Sequence, residues 1–176
     1  IGRAIAVALA GAGADVVLAA RTGSQLNSAT DDVLAMGRRA LSVPTDVSSS
    51  IQVDALVKRA IDHFGGVDIL VNNAGTLLAA PLVPLPESGG GSTASPVAPT
   101  SRLSDDQWRR VMDVNLTGVF YCCRAVAPHM LAKRSGKIIN ISSNNAHQAM
   151  PTVSAYNASK AGVNMLTRVL ALEWAA

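Results

Sequence analysis

Tyr156 and Lys160 stand four residues apart in a stretch with helical period, so their side chains share one face, one turn apart. A free phenol keeps its proton up to a pKa of about 10, and a fixed positive charge beside it stabilises the phenolate and draws that value toward neutrality. Such a tyrosine can give a proton to a carbonyl oxygen and take one from an alcohol. Taken alone, a pair at this spacing is also what an ordinary solvated helix face carries. A second group of polar residues follows short apolar runs: Arg21, Asp46, the doublet Asn72-Asn73 and the doublet Ser142-Ser143. Ligands of parallel sheets sit beyond the carboxyl ends of strands, so these positions are candidates, although polar loop residues after strands are common.

The elements that must hold these residues alternate. Residues 1–12 read as a helix with Ile1, Ile5 and Leu9 on one face, stopped by Gly11 and Gly13. Val16 to Ala20 is a continuous apolar run, as expected of a strand covered on both faces. A helix from about Gln25 to Met36 and a weaker strand from Ala40 to Val43 follow, the second stopped by Pro44. Val53, Leu56, Val57, Ala60, Ile61 and Phe64 recur at helical spacing behind a Ser49/Gln52 capping-box pattern. Val67 to Val71 predicts a strand. Ser104 with Gln107 opens a helix that carries Asp105 and Asp106 in its first turn and Lys133 and Arg134 in its last. Lys137 to Ile141 predicts a strand and Ser154 to Trp174 the closing helix. Strand–helix alternation with few hairpin signals argues an α/β fold, a doubly wound parallel sheet, and one domain over residues 1–176. The irregular piece, residues 78–102, holds five of the eight prolines and a Gly89-Gly90-Gly91 triplet, and its composition suits a surface insertion with little to pack.

The remaining features mostly exclude. Of the 176 residues 49% are apolar and 15% charged, and the net charge of +3 is spread without a run of like charges, so no nucleic-acid footprint is indicated. Asp15 interrupts the opening apolar stretch short of the ~18 residues of a membrane span. Arg3 and the run Ala4 to Ala14 resemble a signal peptide, but Ile1 is not an initiator Met and the sequence continues as a buried strand. Cys122 and Cys123 are neighbours without C-x-x-C spacing, which fits reducing, cytoplasmic surroundings. His63, His129 and His147 share no ligand spacing, and no metal is expected. Gly136-Lys137 lacks the rest of a phosphate loop, the three Asn-x-Ser/Thr matches fall on regular elements, and Gly-x-Ser-x-Gly is absent.

Six matches, in order along nearly the whole chain, resemble the short-chain dehydrogenase/reductase family. They are Ile1-Gly2-Arg3-Ala4 as the tail of a glycine-rich turn, Asp46-Val47, Asn72-Asn73-Ala74-Gly75, Asn115 in Asp113-Val114-Asn115, Ser142-Ser143, and Tyr156-Asn157-Ala158-Ser159-Lys160, with Ser143 thirteen residues before Tyr156. The resemblance implies a Rossmann-like sheet and oxidoreduction of a ketone or secondary alcohol with a nicotinamide cofactor. It makes Tyr156 the proton donor and acceptor, with Ser143 on the substrate oxygen. Lys160 would hold the nicotinamide ribose and lower the tyrosine pKa, and Asn115 would position a water. Ile1 and Gly2 would lie at the phosphates, and Asp46, Val47, Asn73, Ala74 and Gly75 would serve the cofactor, while Ser142 would be structural. Arg21, with Ala20 where an acid would bind a ribose 2′-hydroxyl, suits a 2′-phosphate and implies NADP over NAD. A homo-oligomer, tetramer or dimer, is implied through the helices 104–134 and 154–174. Compared with the family, the first strand, the front of the glycine turn and the last strands are missing. In the strand order 3-2-1-4-5-6 this leaves two sheet halves without a shared hydrogen-bonded neighbour, so the 176 residues alone are expected to fold poorly and be inactive. The competing reading is a non-catalytic nucleotide-binding protein or defective family member.

Overall fold

The computed structural model describes residues 1–83 and 101–175, so residues 84–100 of the expected insertion lie outside the described residues. Helices and strands alternate in the order α1 (Gly2–Gly11), β1 (Val16–Ala20), α2 (Gly23–Ala35), β2 (Ala40–Pro44), α3 (Ser50–Phe64), β3 (Ile69–Asn72), α4 (Asp105–Met112), α5 (Gly118–Ala132), β4 (Lys137–Asn140) and α6 (Ser154–Trp174). A π-helical turn, Asp113–Thr117, lies between α4 and α5, and a 3₁₀ turn, Asn144–Ala146, follows β4. This is the α/β, Rossmann-like alternation that the sequence predicts. The residues fall into two compact units, the first made of Ile1–Ala74 and Gly118–Ile141, the second of Gly75–Thr117 and Ser142–Ala176.

All four strands belong to the first unit. β1 pairs with β2 from Val16↔Ala40 to Ala20↔Pro44, and β3 with β4 from Ile69↔Lys137 to Asn72↔Asn140, both in parallel. Parallel pairing requires a crossover, which α2 supplies between β1 and β2. Among the described residues the two pairs share no hydrogen-bonded strand. Ala6 and Ala10 of α1 and Leu26, Ala29 and Val33 of α2 recur at helical spacing and close one core cluster over Val16 and Leu18. The sequence predicts β1 covered on both faces, but Ala19 is exposed, because α1 and α2 cover only the side of Val16 and Leu18. Val57 of α3 meets Val126 and Met130 of α5 in a second cluster against Leu70 and Ile138.

Of the helix ends that the sequence predicts from capping chemistry, one forms as expected and two depart. Ser104 accepts from Gln107 N and Gln107 returns the bond to Ser104 N, a complete capping box. At α3 the Ser49 side chain accepts from Gln52 N, but the Gln52 side chain accepts from Asp46 N at 2.8 Å, so the reciprocal half of that box does not form. The helix expected from Ser104 to Arg134 is broken by the π turn and stops at Ala132. Lys133 and Arg134 therefore lie past its end, where Lys133 Nζ donates to Val67 O at 3.0 Å and pairs with Asp68. Across the described residues no helix is long and apolar enough to cross a membrane, and no group of three or more His, Cys, Asp or Glu could hold a metal ion.

Gly118, the first residue of α5, is buried because the chain at Val47 passes against it. A Cβ there would lie 2.9 Å from Val47 Cγ2 and 3.1 Å from the Val47 carbonyl oxygen. Replacing a helical glycine by alanine ordinarily stabilises by about 1 kcal/mol. Gly118→Ala is expected to reverse that sign and cost about 1–3 kcal/mol through overpacking. Gly11→Ala, with open space around its Cβ, provides the control. Urea unfolding of both variants checks the contrast, and a Gly118→Ala protein as stable as the parent would refute it.

Candidate active site

The second unit brings together Asn115, Ser143, Tyr156 and Lys160, the four residues singled out for proton chemistry. α6 begins two residues before Tyr156 and buries Ala155, Ser159, Lys160 and Val163 along one side. Lys160 is only 5% exposed, and its Nζ lies 5.8 Å from the centre of the half-buried Tyr156 ring. Burial removes water from the ammonium and lowers the lysine pKa from its ordinary 10.5. Ser142 Oγ donates to the Lys160 carbonyl at 3.4 Å within the second unit.

Asn115 is fully buried in the π turn, and its amide is spent on protein partners. Oδ1 accepts from Thr76 N at 2.8 Å, while Nδ2 donates to Thr76 O at 2.9 Å and to Ser159 Oγ at 3.1 Å. Ser159, also fully buried, donates in turn to the Tyr156 carbonyl at 2.8 Å. A π turn widens the helix by one residue and recurs at functional sites. Here it aims an amide at two elements at once. Gly162 lets α6 approach the same turn, since a Cβ there would meet Leu116 Cδ2 at 2.9 Å. The sequence reading missed Ser159 and Thr76 as parts of this assembly. The buried spacing Ala155, Ser159, Val163 marks Ser159 as inward-facing, whereas nothing in the pattern marks Thr76.

Ser143 caps the 3₁₀ turn, its Oγ accepting from Asn145 N at 3.2 Å. α6 opens from Val153 without a side-chain cap. Just before it Thr152 adopts φ +67°, a left-handed conformation that a β-branched residue rarely takes, and its carbonyl accepts from Ala80 N at 2.7 Å. Phenol, ammonium and hydroxyl thus sit on neighbouring elements of one unit, the groups needed to move a proton at an oxygen.

The first unit carries the cofactor candidates other than Gly75, Tyr156 and Lys160, which lie in the second. Gly2 and Asn73 adjoin so closely that a Cβ on Gly2 would lie 2.6 Å from Asn73 Nδ2. α1 starts at Gly2 with no side-chain cap and no acid in its first turn. Arg21, the residue after β1, is exposed and forms no ion pair among the described residues. The Asp46 carboxylate accepts from Ser48 N and Ser48 Oγ, and Val47 is held against Gly118. Ile1, Ala74 and Gly75 are exposed. Burial raises the thiol pKa of Cys122 to about 12 and that of Cys123 to about 11, which keeps both protonated and unreactive.

A family model described as short chain dehydrogenase matches residues 1–176. The 3-oxoacyl-[acyl-carrier-protein] reductase of Synechocystis is 36% identical over 99% of this chain and 64% of its own length. The 3beta-hydroxysteroid dehydrogenase 1 of Eggerthella lenta is 46% identical over 79% of this chain and 47% of its own. The crystal structure of NAD+-bound xylitol dehydrogenase superposes with a TM-score of 0.84 at 30% identity, covering 99% of this chain and 60% of that one. The chain therefore spans less than two thirds of the length of these relatives.

The lowered Lys160 pKa has a thermodynamic signature. Between the native value and 10.5 the unfolded chain binds more protons than the folded one, so stability rises with pH across that window and falls as pH drops through the native value. Chemical denaturation of the parent and of Lys160→Met as a function of pH is expected to show this alkaline rise in the parent and its loss in the variant. Parallel pH profiles would contradict it.

Proposed function

The chain belongs to the short-chain dehydrogenase/reductase family, and on that premise we propose that it serves an oxidoreductase interconverting a ketone and a secondary alcohol. The observation that carries the reading is the buried Lys160 beside the Tyr156 ring. A nicotinamide dinucleotide, when bound, supplies or accepts the hydride. Tyr156 Oη gives a proton to the substrate oxygen in reduction and takes one in oxidation. The Lys160 ammonium stabilises the phenolate left behind, and its burial lets that charge act through a poorly screening medium. Ser143 Oγ accepts from Asn145 N, which leaves its own O–H to donate to the substrate oxygen. Because the Asn115 amide is committed to Thr76 and Ser159, a relay water beside Lys160 would be held by the main chain of the π turn rather than by that side chain.

For the dinucleotide, Ile1 and Gly2 at the uncapped start of α1 suit the phosphates, and the close approach of Gly2 to Asn73 fits a turn where backbone must come near a ligand. Asp46, Val47, Asn73, Ala74 and Gly75 serve the adenosine and ribose side, and Lys160 the nicotinamide ribose. Arg21, exposed after β1, favours a 2′-phosphate and hence NADP over NAD. A homo-oligomer is part of the same reading. Within the first unit α5 exposes Phe120 and Leu131, and within the second α6 exposes Met165, Val169 and Leu172, apolar surface of the kind that a second copy covers.

Tyr156→Phe is expected to lower kcat by at least about 100-fold with dinucleotide affinity retained, since general acid–base groups contribute that much or more. Steady-state kinetics with fluorescence titration of the cofactor checks it, and retention of most activity would remove the acid/base role. Arg21→Ala is expected to lower kcat/KM for NADPH about tenfold or more, the worth of one charge-assisted contact, while leaving NADH little changed. Equal losses with both cofactors would refute the NADP preference.

A further inference from the structure

Asn157, the residue after Tyr156, has no part in the chemistry above, yet its amide is doubly engaged. Oδ1 accepts from Asn145 Nδ2 at 3.1 Å, and Nδ2 donates to the Met150 carbonyl at 2.9 Å. Asn145 is the middle residue of the 3₁₀ turn, and its own backbone N–H is the donor to Ser143 Oγ. Its side chain also approaches Met150 Sδ at 3.8 Å. One residue thus connects to the Ser143 hydroxyl through its backbone and to the helix of Tyr156 through its side chain. Seven residues further along α6, two turns up on the same face, Asn164 Nδ2 lies 3.1 Å from His147 Nε2, a second rung between the same two elements.

We infer that Asn145 and Asn157 are positioning residues that hold the Ser143 hydroxyl and the Tyr156 phenol in one fixed relation. The inference rests on the proton-transfer reading of the site. A proton donor and a hydroxyl that act on one substrate oxygen must keep their separation to a fraction of an ångström, and a displacement of about 1 Å can cost 100-fold in rate. The covalent path between Ser143 and Tyr156 runs through twelve intervening residues, including exposed Gln148, Ala149, Met150 and Pro151, and cannot fix that distance. The Asn145–Asn157 bond is a shorter connection. The Asn157–Met150 bond closes the rest of the segment onto the same helix turn. The Asn145–Asn157 bond joins two half-buried side chains, so it is shielded from competition by water more than a surface contact is, whereas the Asn157–Met150 bond is exposed.

The test compares the parent enzyme with Asn157→Leu, which keeps the size and removes both bonds, Asn145→Ala and the double variant, with Tyr156→Phe assayed in parallel. Asn157→Leu is expected to lower kcat by about ten- to a hundredfold with unchanged dinucleotide affinity and unchanged thermal midpoint. The double variant is expected to be no worse than Asn157→Leu alone, because residues of one network are not additive. Loss of kcat together with cofactor affinity and thermal stability would reduce the pair to a structural contact and overturn the inference. Unchanged kcat in Asn157→Leu alongside an inactive Tyr156→Phe would overturn it while sparing the proton-transfer reading. An active Tyr156→Phe would instead strike that reading, and hydrogen exchange then decides about the clamp. Faster exchange of the Asn145 and Ala146 amides in Asn157→Leu, with α6 still protected, supports it, and unchanged exchange overturns it.

Discussion

A lysine ammonium held almost out of water beside a phenol is the constraint around which the second unit is organised. Taking a charge out of water is costly, and the lowered Lys160 pKa is the sign of that cost. The fold tolerates it by surrounding the helix turn with polar groups whose bonds are already made. Ser159 spends its hydroxyl on the Tyr156 carbonyl and receives Asn115, and Ser142 bonds the Lys160 carbonyl. A charge kept from water interacts with a neighbouring group more strongly than one on the surface does, and the proposed proton transfer would draw on that.

Asn115 shows how far the arrangement depends on backbone geometry. Its three side-chain bonds reach both polar groups of the Thr76 backbone and the hydroxyl of Ser159, which lie in two separate segments. The π turn makes the reach available and also interrupts the long helix expected from Ser104 to Arg134. Thr152 is a comparable concession on the other side. A β-branched residue is held at φ +67° so that its carbonyl meets Ala80 N immediately before α6 begins.

What the sequence made legible follows from what local pattern can carry. α6 starts and stops where predicted because its period is uninterrupted over its whole length, and the Ser104–Gln107 box formed because both halves lie within one turn. Strand–helix alternation was readable for the same reason. The π turn was not, since a one-residue widening leaves almost no trace in a period of 3.6. The reciprocal half of the Ser49 cap failed because Asp46 N competes for the Gln52 side chain, a contact made by a turn rather than by spacing. Asn145 and Asn157 stayed hidden because neither the 3₁₀ turn nor the path across to α6 has a periodic signature.

The doublets at strand ends explain why neighbouring residues of one type need not share a role. Successive side chains on a strand point to opposite faces, so a polar pair at its end is divided between scaffold and ligand side. At the end of β3, Asn72 turns inward and donates to Asn140 Oδ1 at 2.8 Å and to Cys123 Sγ at 3.5 Å, while Asn73 meets Gly2 beside the start of α1. After β4, Ser142 is bonded to the Lys160 carbonyl, while Ser143 turns to the 3₁₀ turn with its O–H left to donate. In each doublet the first residue bonds atoms of its own unit, and the second makes a different contact. A bond on the first member restricts the backbone that carries the second, so adjacent residues of one type end in different contacts.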